Sequence, residues 1–195
     1  PSKIIRIVKC LYSNAQCSVL HKGRISDSIP VHAGVRQGCV LSPLLFNIVL
    51  DSVMRKVTRV KYGITWNLFS TLEDLDYADD ICLLASTFNN MNAKLASLIE
   101  EAKLVGLKVN VQKTKVLRIN ADSDRVFNIQ GTDIEEVDQF CYLGSMITKD
   151  GGSTADVLTR IHKANQAFGV LKNIWKSNFL AQSTKLRIFK TNVLA

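Results

Sequence analysis

The segment from Leu75 to Leu84, LDYADDICLL, places two adjacent aspartates between two short apolar runs. The pattern predicts a hairpin over Leu72 to Ser86: a strand, a tight turn that carries Asp79 and Asp80, and a second strand. Adjacent carboxylates repel each other, so either one pKa rises or a cation binds. The hairpin tip is therefore a candidate cation site, and the alternative is an ordinary solvent-exposed Asp-Asp turn.

The chemistry of the aspartate pair favours a hard divalent cation. Carboxylate oxygens suit Mg²⁺ or Mn²⁺, and Mg²⁺ is typically held by one or two carboxylates together with substrate phosphates. Phosphoryl-transfer enzymes often use two such ions to hold the attacking and leaving oxygens. The further acids Glu73, Asp74 and Asp76 are compatible with either interpretation.

Length and composition indicate a globular domain. The chain has 195 residues, of which 47% are hydrophobic and 22% charged, enough for one core or a core with a small appendage. No apolar run approaches the roughly 20 residues that span a bilayer, so no membrane partner is expected. Lys3, Arg6 and Lys9 interrupt the apolar N-terminal positions and argue against a signal peptide.

The cysteine count bears on the cellular compartment. Five cysteines are an odd number, and none forms a C-x-x-C pair. We expect buried, reduced thiols in an intracellular protein, nuclear or cytoplasmic, with no disulfide framework and no structural zinc site.

Positive charge is concentrated in the last 43 residues. Residues 1–152 hold 18 Lys and Arg against 16 Asp and Glu, whereas residues 153–195 hold 7 against Asp156 alone. This distribution suggests a phosphate-rich partner for the C-terminal segment. The alternative is a solvated helix face with no partner.

The apolar periodicity predicts an α+β fold, with mainly antiparallel strands and helices on one face of a sheet. The composition changes at Gly151-Gly152, which is the best domain boundary. The predicted elements are a helix at the N-terminus, a hairpin around Lys22-Gly23-Arg24, a helix from a Ser42 N-cap to about Thr58, the aspartate hairpin, a helix ending at Gly106, an extended segment over 107–120, two short strands around Gly131, one strand over 139–148, a helix from Ser153 or Thr154 to Trp175, and a helix from about Ser183.

Four segments, one of them within the aspartate hairpin, follow one another in order along the chain: GVRQGCVLSPLLFN, YADD, GLKVNVQKTK and FCYLGS. This series resembles motifs B, C, D and E of reverse transcriptases, most closely those of LINE-type non-LTR retrotransposons. The later GGSTADVLTRIHKANQAFGVL is similar to the start of their thumb. The resemblance implies a polymerase palm over residues 1–150 and the start of a helical, basic thumb over 151–195.

The resemblance also implies roles for individual residues. Asp79 and Asp80 match the metal-binding aspartates, and Lys113 matches a proposed proton donor to pyrophosphate; its alternative is a surface lysine. The residues matching the nucleotide- and template-binding positions are Arg36, Gln37, Gly38 and Tyr77. The residues matching the primer grip are Phe140, Tyr142, Leu143 and Gly144, some of which would otherwise be core strand residues.

The implied activity is RNA-directed DNA synthesis from dNTPs on an RNA template and a DNA primer, with Mg²⁺ or Mn²⁺. A reverse transcriptase palm needs a third carboxylate, from motif A, and neither Asp27 nor Asp51 matches it. The chain starts at Pro1 and stops inside an apolar-periodic stretch. We therefore expect a piece of a longer polyprotein, with fingers and motif A upstream, that is inactive by itself.

Three alternatives stay open at this point. A degenerate retroelement copy would keep the fold and bind nucleic acid without activity. A group II intron or other bacterial enzyme with Y-A-D-D lies within the same class. A plain α+β interaction domain with an incidental Asp-Asp turn would not explain the order of the four motifs.

Overall fold

The computed structural model describes residues 1–67, 69–121 and 124–194. Its helices lie close to the predicted positions, except that the helix predicted from Ser153 or Thr154 to Trp175 is divided into two at Leu171. None in this part of the chain is both long and apolar enough to cross a membrane. The helices are α1 (Ser2–Tyr12), α2 (Ser42–Val57), α3 (Phe88–Leu104), α4 (Thr154–Val170), α5 (Lys172–Lys176) and α6 (Gln182–Asn192).

The strands are short and pair in twos. The antiparallel pairs up to residue 109 are β1 (Gln16–Cys17) with β4 (Ile29–Pro30), β2 (Leu20–His21) with β3 (Arg24–Ile25), β5 (Ile64–Asn67) with β6 (Ser70–Leu72), and β7 (Asp74–Tyr77) with β8 (Asp80–Leu83). The later pairs are β9 (Lys115–Val116) with β12 (Glu135–Glu136), β10 (Asn128–Ile129) with β11 (Thr132–Asp133), and β13 (Gln139–Tyr142) with β14 (Ser145–Thr148).

The mixed helix-and-strand class is as predicted, but the described strands do not join into one sheet. Each ladder has two strands, and β9 with β12 is parallel whereas the other described pairs are antiparallel. Many of the strands have only two residues, which is too short to support a wide hydrogen-bonded ladder.

The chain divides into two compact units, Pro1–Val109 and a second that begins at Asn110. The functional division proposed at residue 150, between palm and thumb, is of a different kind and stays a prediction.

The core of the first unit forms where α2 packs against α3. Four buried residues on one face of α2 form a cluster with Leu98 of α3; they are Leu50, Val53, Met54 and Val57. Ile81 and Leu83 of β8 pack against this cluster. The aspartate hairpin is therefore held against a helix pair by the apolar face of its second strand.

The start of α2 differs by one residue from the prediction. Leu41 occupies the N-cap position, so Ser42 is already helical, and Pro43 lies in the first turn as expected. The Ser42 hydroxyl donates to the Arg36 carbonyl at 2.6 Å instead of capping the helix. That bond ties the preceding loop to the helix.

Two strand predictions are wrong. The 107–120 segment is not extended throughout: the Lys113 and Thr114 amides donate back to the Asn110 carbonyl, and only Lys115–Val116 is a strand. The segment over 139–148 is a hairpin of two strands, not one, because Leu143 and Gly144 form a tight turn. In both places a local turn interrupts an apolar alternation that fits a strand.

The second unit has small local clusters. Phe127, Ile129 and Ile134 are buried around the β10–β11 hairpin. Among the C-terminal helices, the Phe168 and Trp175 rings stack with centroids 5.1 Å apart, and Phe189 meets both edge-on.

All five cysteines are unpaired, as predicted, but none is buried. Cys39 and Cys82 are half-buried, and the others, Cys10, Cys17 and Cys141, are exposed. Short isolated ladders cover little surface, so strand cysteines such as Cys17 stay in contact with solvent.

We predict that Leu98→Ala lowers the free energy of unfolding by about 2–5 kcal/mol, because it leaves a cavity between α2 and α3. Urea unfolding followed by circular dichroism measures the change. Leu104→Ala is the matched control, since Leu104 belongs to the same helix and is 74% exposed. Equal losses in the two variants would contradict this description of the core.

Candidate active site

The aspartate hairpin has the predicted tight turn. Tyr77 and Asp80 are the last register partners of β7 and β8, so Ala78 and Asp79 form a two-residue loop. Ala78 adopts φ 55°, a left-handed conformation that costs a non-glycine residue about 1–2 kcal/mol. Both Asp79 and Asp80 are exposed at the tip.

The two faces of this hairpin have different surroundings. Register partners share a face, so Tyr77 lies beside Asp80, and Leu75 lies beside Cys82. The opposite face carries Ile81 and Leu83, which pack on the α2–α3 core. Asp80 and the exposed ring of Tyr77 thus lie on the face away from that core.

A second carboxyl pair occupies the core-facing side of the hairpin. Asp74 and Asp76 are two residues apart on one strand, so both belong to the face that carries Ile81 and Leu83. Burial, and then the hydrogen bond and charge of the Asp74 carboxyl, raise the pKa of Asp76 to about 7. Asp76 is therefore partly protonated near neutral pH.

The loop over Arg36, Gln37 and Gly38 is fixed by contacts with α1. An Arg36 guanidinium nitrogen donates to the Leu11 carbonyl at 2.8 Å, and its central carbon lies 5.7 Å from the centroid of the Tyr12 ring. Arg36 therefore binds the C-terminal end of α1, a role that the motif alone does not indicate. The side chain of Gln37 is exposed.

Gly38 is required by its backbone conformation. Its φ is 80°, and no atom of the described residues lies within 4 Å of an added Cβ. Within the described part of the chain, the backbone conformation and not a close approach is therefore the reason for a glycine here.

Lys113 and the predicted primer-grip residues belong to the second unit. Lys113 is exposed, in a turn closed by the Asn110 carbonyl and side chain. Phe140 and Tyr142 alternate along β13, so both belong to one face. Leu143 and Gly144 have φ of 48° and 87°, which is the requirement of a type I′ turn. These two are turn residues and not strand residues.

Sequence reasoning missed one pair of functional interest, Lys94 and Glu73. Both are buried, and the Lys94 Nζ lies 2.6 Å from a Glu73 carboxylate oxygen. The available indication was the position of Lys94, which falls in the apolar stripe of α3 between Met91 and Leu98.

The aspartate pair fits a divalent cation in part. Asp79 and Asp80 supply hard, exposed carboxylate oxygens on one turn, as Mg²⁺ or Mn²⁺ requires. Across residues 1–67, 69–121 and 124–194, no three His, Cys, Asp or Glu side chains form a group that could hold a metal ion. The pair therefore fits as part of a metal site that needs further ligands.

We predict that Asp76→Asn makes the protein more stable at pH 7 to 8 than the wild type. The folded-state pKa of Asp76 is near 7 and its ordinary value is 3.8, so wild-type stability falls as pH rises through this window. Asparagine cannot lose a proton and removes the fall. Because Asp76 contacts solvent, the effect is screened and only its direction is predicted.

Thermal unfolding at pH 4, 5, 6, 7 and 8 measures this difference. Asp27→Asn is the control, because Asp27 is an exposed hairpin carboxylate far along the chain from the Asp74–Asp76 pair. A wild-type-minus-variant difference that does not change with pH would contradict the raised pKa.

Comparison with known proteins extends these observations. Residues 1–147 match the family model described as reverse transcriptase (RNA-dependent DNA polymerase), and residues 167–195 match a domain of unknown function. The Pol polyprotein of a type-1 retrotransposable element R2 from Popillia japonica is 29% identical over 180 residues, which cover 82% of this chain and 30% of that protein.

Two other relatives also come from transposable elements. The Pol polyprotein of the type-2 element R2DM from Drosophila melanogaster is 26% identical over 77% of this chain and 15% of its own length. A transposon-derived protein of Caenorhabditis elegans is 32% identical over 63% of this chain and 45% of its own length. The chain thus spans less than half of each of these relatives.

The family model covers about three quarters of the chain, including the loop at Arg36 and the hairpin at Asp79 and Asp80. Together with the R2 relatives, this match shows that the chain belongs to the reverse transcriptase (RNA-dependent DNA polymerase) family, as a reverse transcriptase of the non-LTR retrotransposon kind.

Proposed function

We propose that this chain carries the catalytic hairpin of an RNA-directed DNA polymerase that extends a DNA primer on an RNA template. One observation carries the proposal: Asp79 and Asp80 are exposed on a two-residue turn whose second strand is packed on a helical core. An exposed carboxylate pair on an anchored support can present oxygens to a cation and to substrate phosphates.

In the proposed site Asp79 and Asp80 would hold Mg²⁺ or Mn²⁺. When bound, such ions supply stabilisation of the negative charge on the phosphoryl oxygens. The reaction joins the primer 3′-oxygen to the α-phosphorus of a dNTP and breaks the bond to the β-phosphate, releasing pyrophosphate. The contribution of the protein is positioning and charge stabilisation.

Two groups in the first unit would contact the nucleotide and template. The Tyr77 ring is 65% exposed on the same hairpin face as Asp80, so it can lie against a sugar or base near the reacting atoms. The exposed amide of Gln37 can both donate to and accept from a base. Arg36 and Gly38 would set the course of this loop.

The second unit would contribute a proton and a hold on the primer. The ammonium group of Lys113 is exposed and suits proton transfer to the departing pyrophosphate. Phe140 and Tyr142, with the Leu143–Gly144 turn, offer an aromatic face and a hairpin tip for the primer end. All of these residues lie within the palm proposed over residues 1–150, which is followed by the proposed thumb over 151–195.

The 195 residues alone are proposed to be inactive. The resemblance calls for a third carboxylate, and the described residues hold no group of three metal-binding side chains. Loss of one member of a catalytic unit usually costs several orders of magnitude in rate. We therefore propose that activity requires a motif A aspartate and a fingers segment from the same polyprotein. We also propose an intracellular compartment, in which the five thiols stay reduced.

A second candidate, nucleic-acid binding without catalysis, is favoured by the charge of the C-terminal helices. Residues 153–195 carry 7 Lys and Arg against one acid, and most of these basic side chains are exposed. Such a surface binds phosphates whether or not the aspartate site is active.

We predict primer extension only after the chain is joined to an upstream segment that supplies fingers and a motif A aspartate. In that longer protein, Asp79→Asn lowers the extension rate by at least about 10³-fold, because a metal-binding oxygen is removed. Incorporation of dNTPs on an RNA-templated DNA primer with Mg²⁺ or Mn²⁺ measures it.

Asp51→Asn is the matched control for that experiment. Asp51 is an exposed carboxylate of the same unit, paired with Arg55 on α2. Activity that survives Asp79→Asn would reject the role of the aspartate pair. A well-folded longer protein with no activity would favour the binding-only candidate.

We predict that Lys172→Gln with Lys176→Gln weakens binding to an RNA–DNA primer–template. The salt slope should fall by about one for each phosphate that the protein no longer neutralises. Both lysines are exposed on α5. Fluorescence anisotropy over a series of salt concentrations measures the slope, and Lys61→Gln, an exposed lysine of the first unit, is the control. Unchanged slopes would indicate a solvated helix face.

A further inference from the structure

Lys94 is a buried lysine on α3 with three hydrogen-bond acceptors. The residue is 1% exposed. Its Nζ donates to the Glu73 carboxylate at 2.6 Å, the Glu73 carbonyl at 2.8 Å and the Leu84 carbonyl at 2.7 Å. An ammonium group has three donors, so every one is used. A buried charge with complete hydrogen bonding holds a defined geometry.

These acceptors lie at the base of the aspartate hairpin. Glu73 immediately precedes β7 and Leu84 immediately follows β8, and the Leu84 amide donates to the Glu73 carbonyl at 2.9 Å. The ammonium group of Lys94 therefore binds both strand ends of the hairpin and joins them to α3. The opposite end of the same ladder carries Asp79 and Asp80.

The Glu73 carboxylate oxygen that binds Lys94 also accepts from a backbone amide. The Tyr62 amide donates to the Glu73 carboxylate at 3.1 Å. Gly63 permits this approach, because a Cβ there would lie 2.1 Å from the Leu72 carbonyl oxygen. Burial pushes the pKa of Glu73 upward, but hydrogen bonds from Lys94, Thr71 and Tyr62 outweigh it and lower the pKa below its ordinary value. The carboxylate is thus kept charged for Lys94.

Stability alone does not account for this arrangement. Apolar residues of similar volume often replace a buried ion pair with no loss of stability, whereas an ammonium with three fixed acceptors specifies one geometry. The hairpin needs such a constraint, because its tip combines a left-handed Ala78 with two adjacent carboxylates.

We propose that Lys94, together with Glu73, is a positioning residue for nucleotidyl transfer. It fixes both ends of the β7–β8 hairpin on α3, so that the carboxylates of Asp79 and Asp80 are presented in one orientation. This inference rests on the proposed function for its catalytic consequence, and on the hydrogen bonds of Lys94 for its structural part.

The structural part is tested on the 195-residue chain by amide hydrogen exchange. The variants are Lys94→Met, Lys94→Arg, and Lys94→Met combined with Glu73→Gln, which leaves no unpaired charge should the single variant fail to fold. In the double variant we expect β7–β8 amides to exchange about tenfold faster or more, while α2 amides at Val53 and Met54 change far less. Lys103→Met, an exposed lysine of α3, is the control.

The catalytic part is tested in the longer protein that restores motif A. We expect the double variant to lower kcat about tenfold or more, with a KM for dNTP close to that of the wild type, because orientation and not nucleotide affinity is lost. Lys94→Arg keeps a charge but not the compact three-donor geometry, and should recover part of kcat.

The outcomes separate the two proposals. Unchanged hairpin exchange, or equal acceleration in the hairpin and in α2, overturns the positioning role whatever the activity. If the longer wild type is inactive, the proposed function fails while the exchange result still decides whether Lys94 fixes the hairpin. If amide exchange becomes faster in the hairpin alone but kcat of an active longer protein does not change, the catalytic part is overturned.

Discussion

The role proposed for Asp79 and Asp80 requires that the hairpin beneath them is held in place, and two features of the first unit meet this requirement. A two-stranded ladder is marginal in water without further support. Here β8 packs Ile81 and Leu83 on the α2–α3 core, and Lys94 binds both strand ends. The apolar contacts stabilise the hairpin against the core but do not fix its orientation, whereas the three hydrogen bonds of Lys94 do. The exposed tip can therefore carry the two carboxylates of Asp79 and Asp80, whose burial in the core would be unfavourable.

The same constraint accounts for the distribution of acids along the hairpin. Glu73 is buried and paired, Asp74 and Asp76 share the core-facing side, and only Asp79 and Asp80 are at the exposed tip. Burial and the neighbouring Asp74 carboxyl raise the pKa of Asp76 to about 7, so Asp76 is partly protonated near neutral pH. The repulsion among five acids within eight residues is reduced because Lys94 pairs with Glu73 and Asp76 is partly neutral.

Much of this organisation could be predicted from the sequence, because it depends on short-range patterns. Alternation around Asp79 and Asp80 indicated the hairpin, and periodicity with Pro43 and Gly106 indicated the bounds of α2 and α3. The turns at Asn110–Thr114 and at Leu143 were missed for different reasons. The first lies in a segment whose apolar residues alternate as in a strand, and the second places an apolar residue, Leu143, in a left-handed conformation that residue type does not indicate. The Lys94 contacts were missed for another reason: its acceptors are mostly backbone carbonyls, which no residue pattern records.

Both hairpin tips assigned to the reaction share one unfavourable feature. Ala78 precedes the aspartate pair with φ 55°, and Leu143 precedes Gly144, in the turn proposed as part of the primer grip, with φ 48°. Glycine would adopt either conformation without the cost of about 1 kcal/mol or more that a Cβ imposes. Such strain persists only where the surroundings over-determine the backbone. At Ala78 the surroundings include a paired ladder anchored by Lys94. A stiffer backbone at the tip is the consequence, because alanine has fewer alternative conformations to visit than glycine.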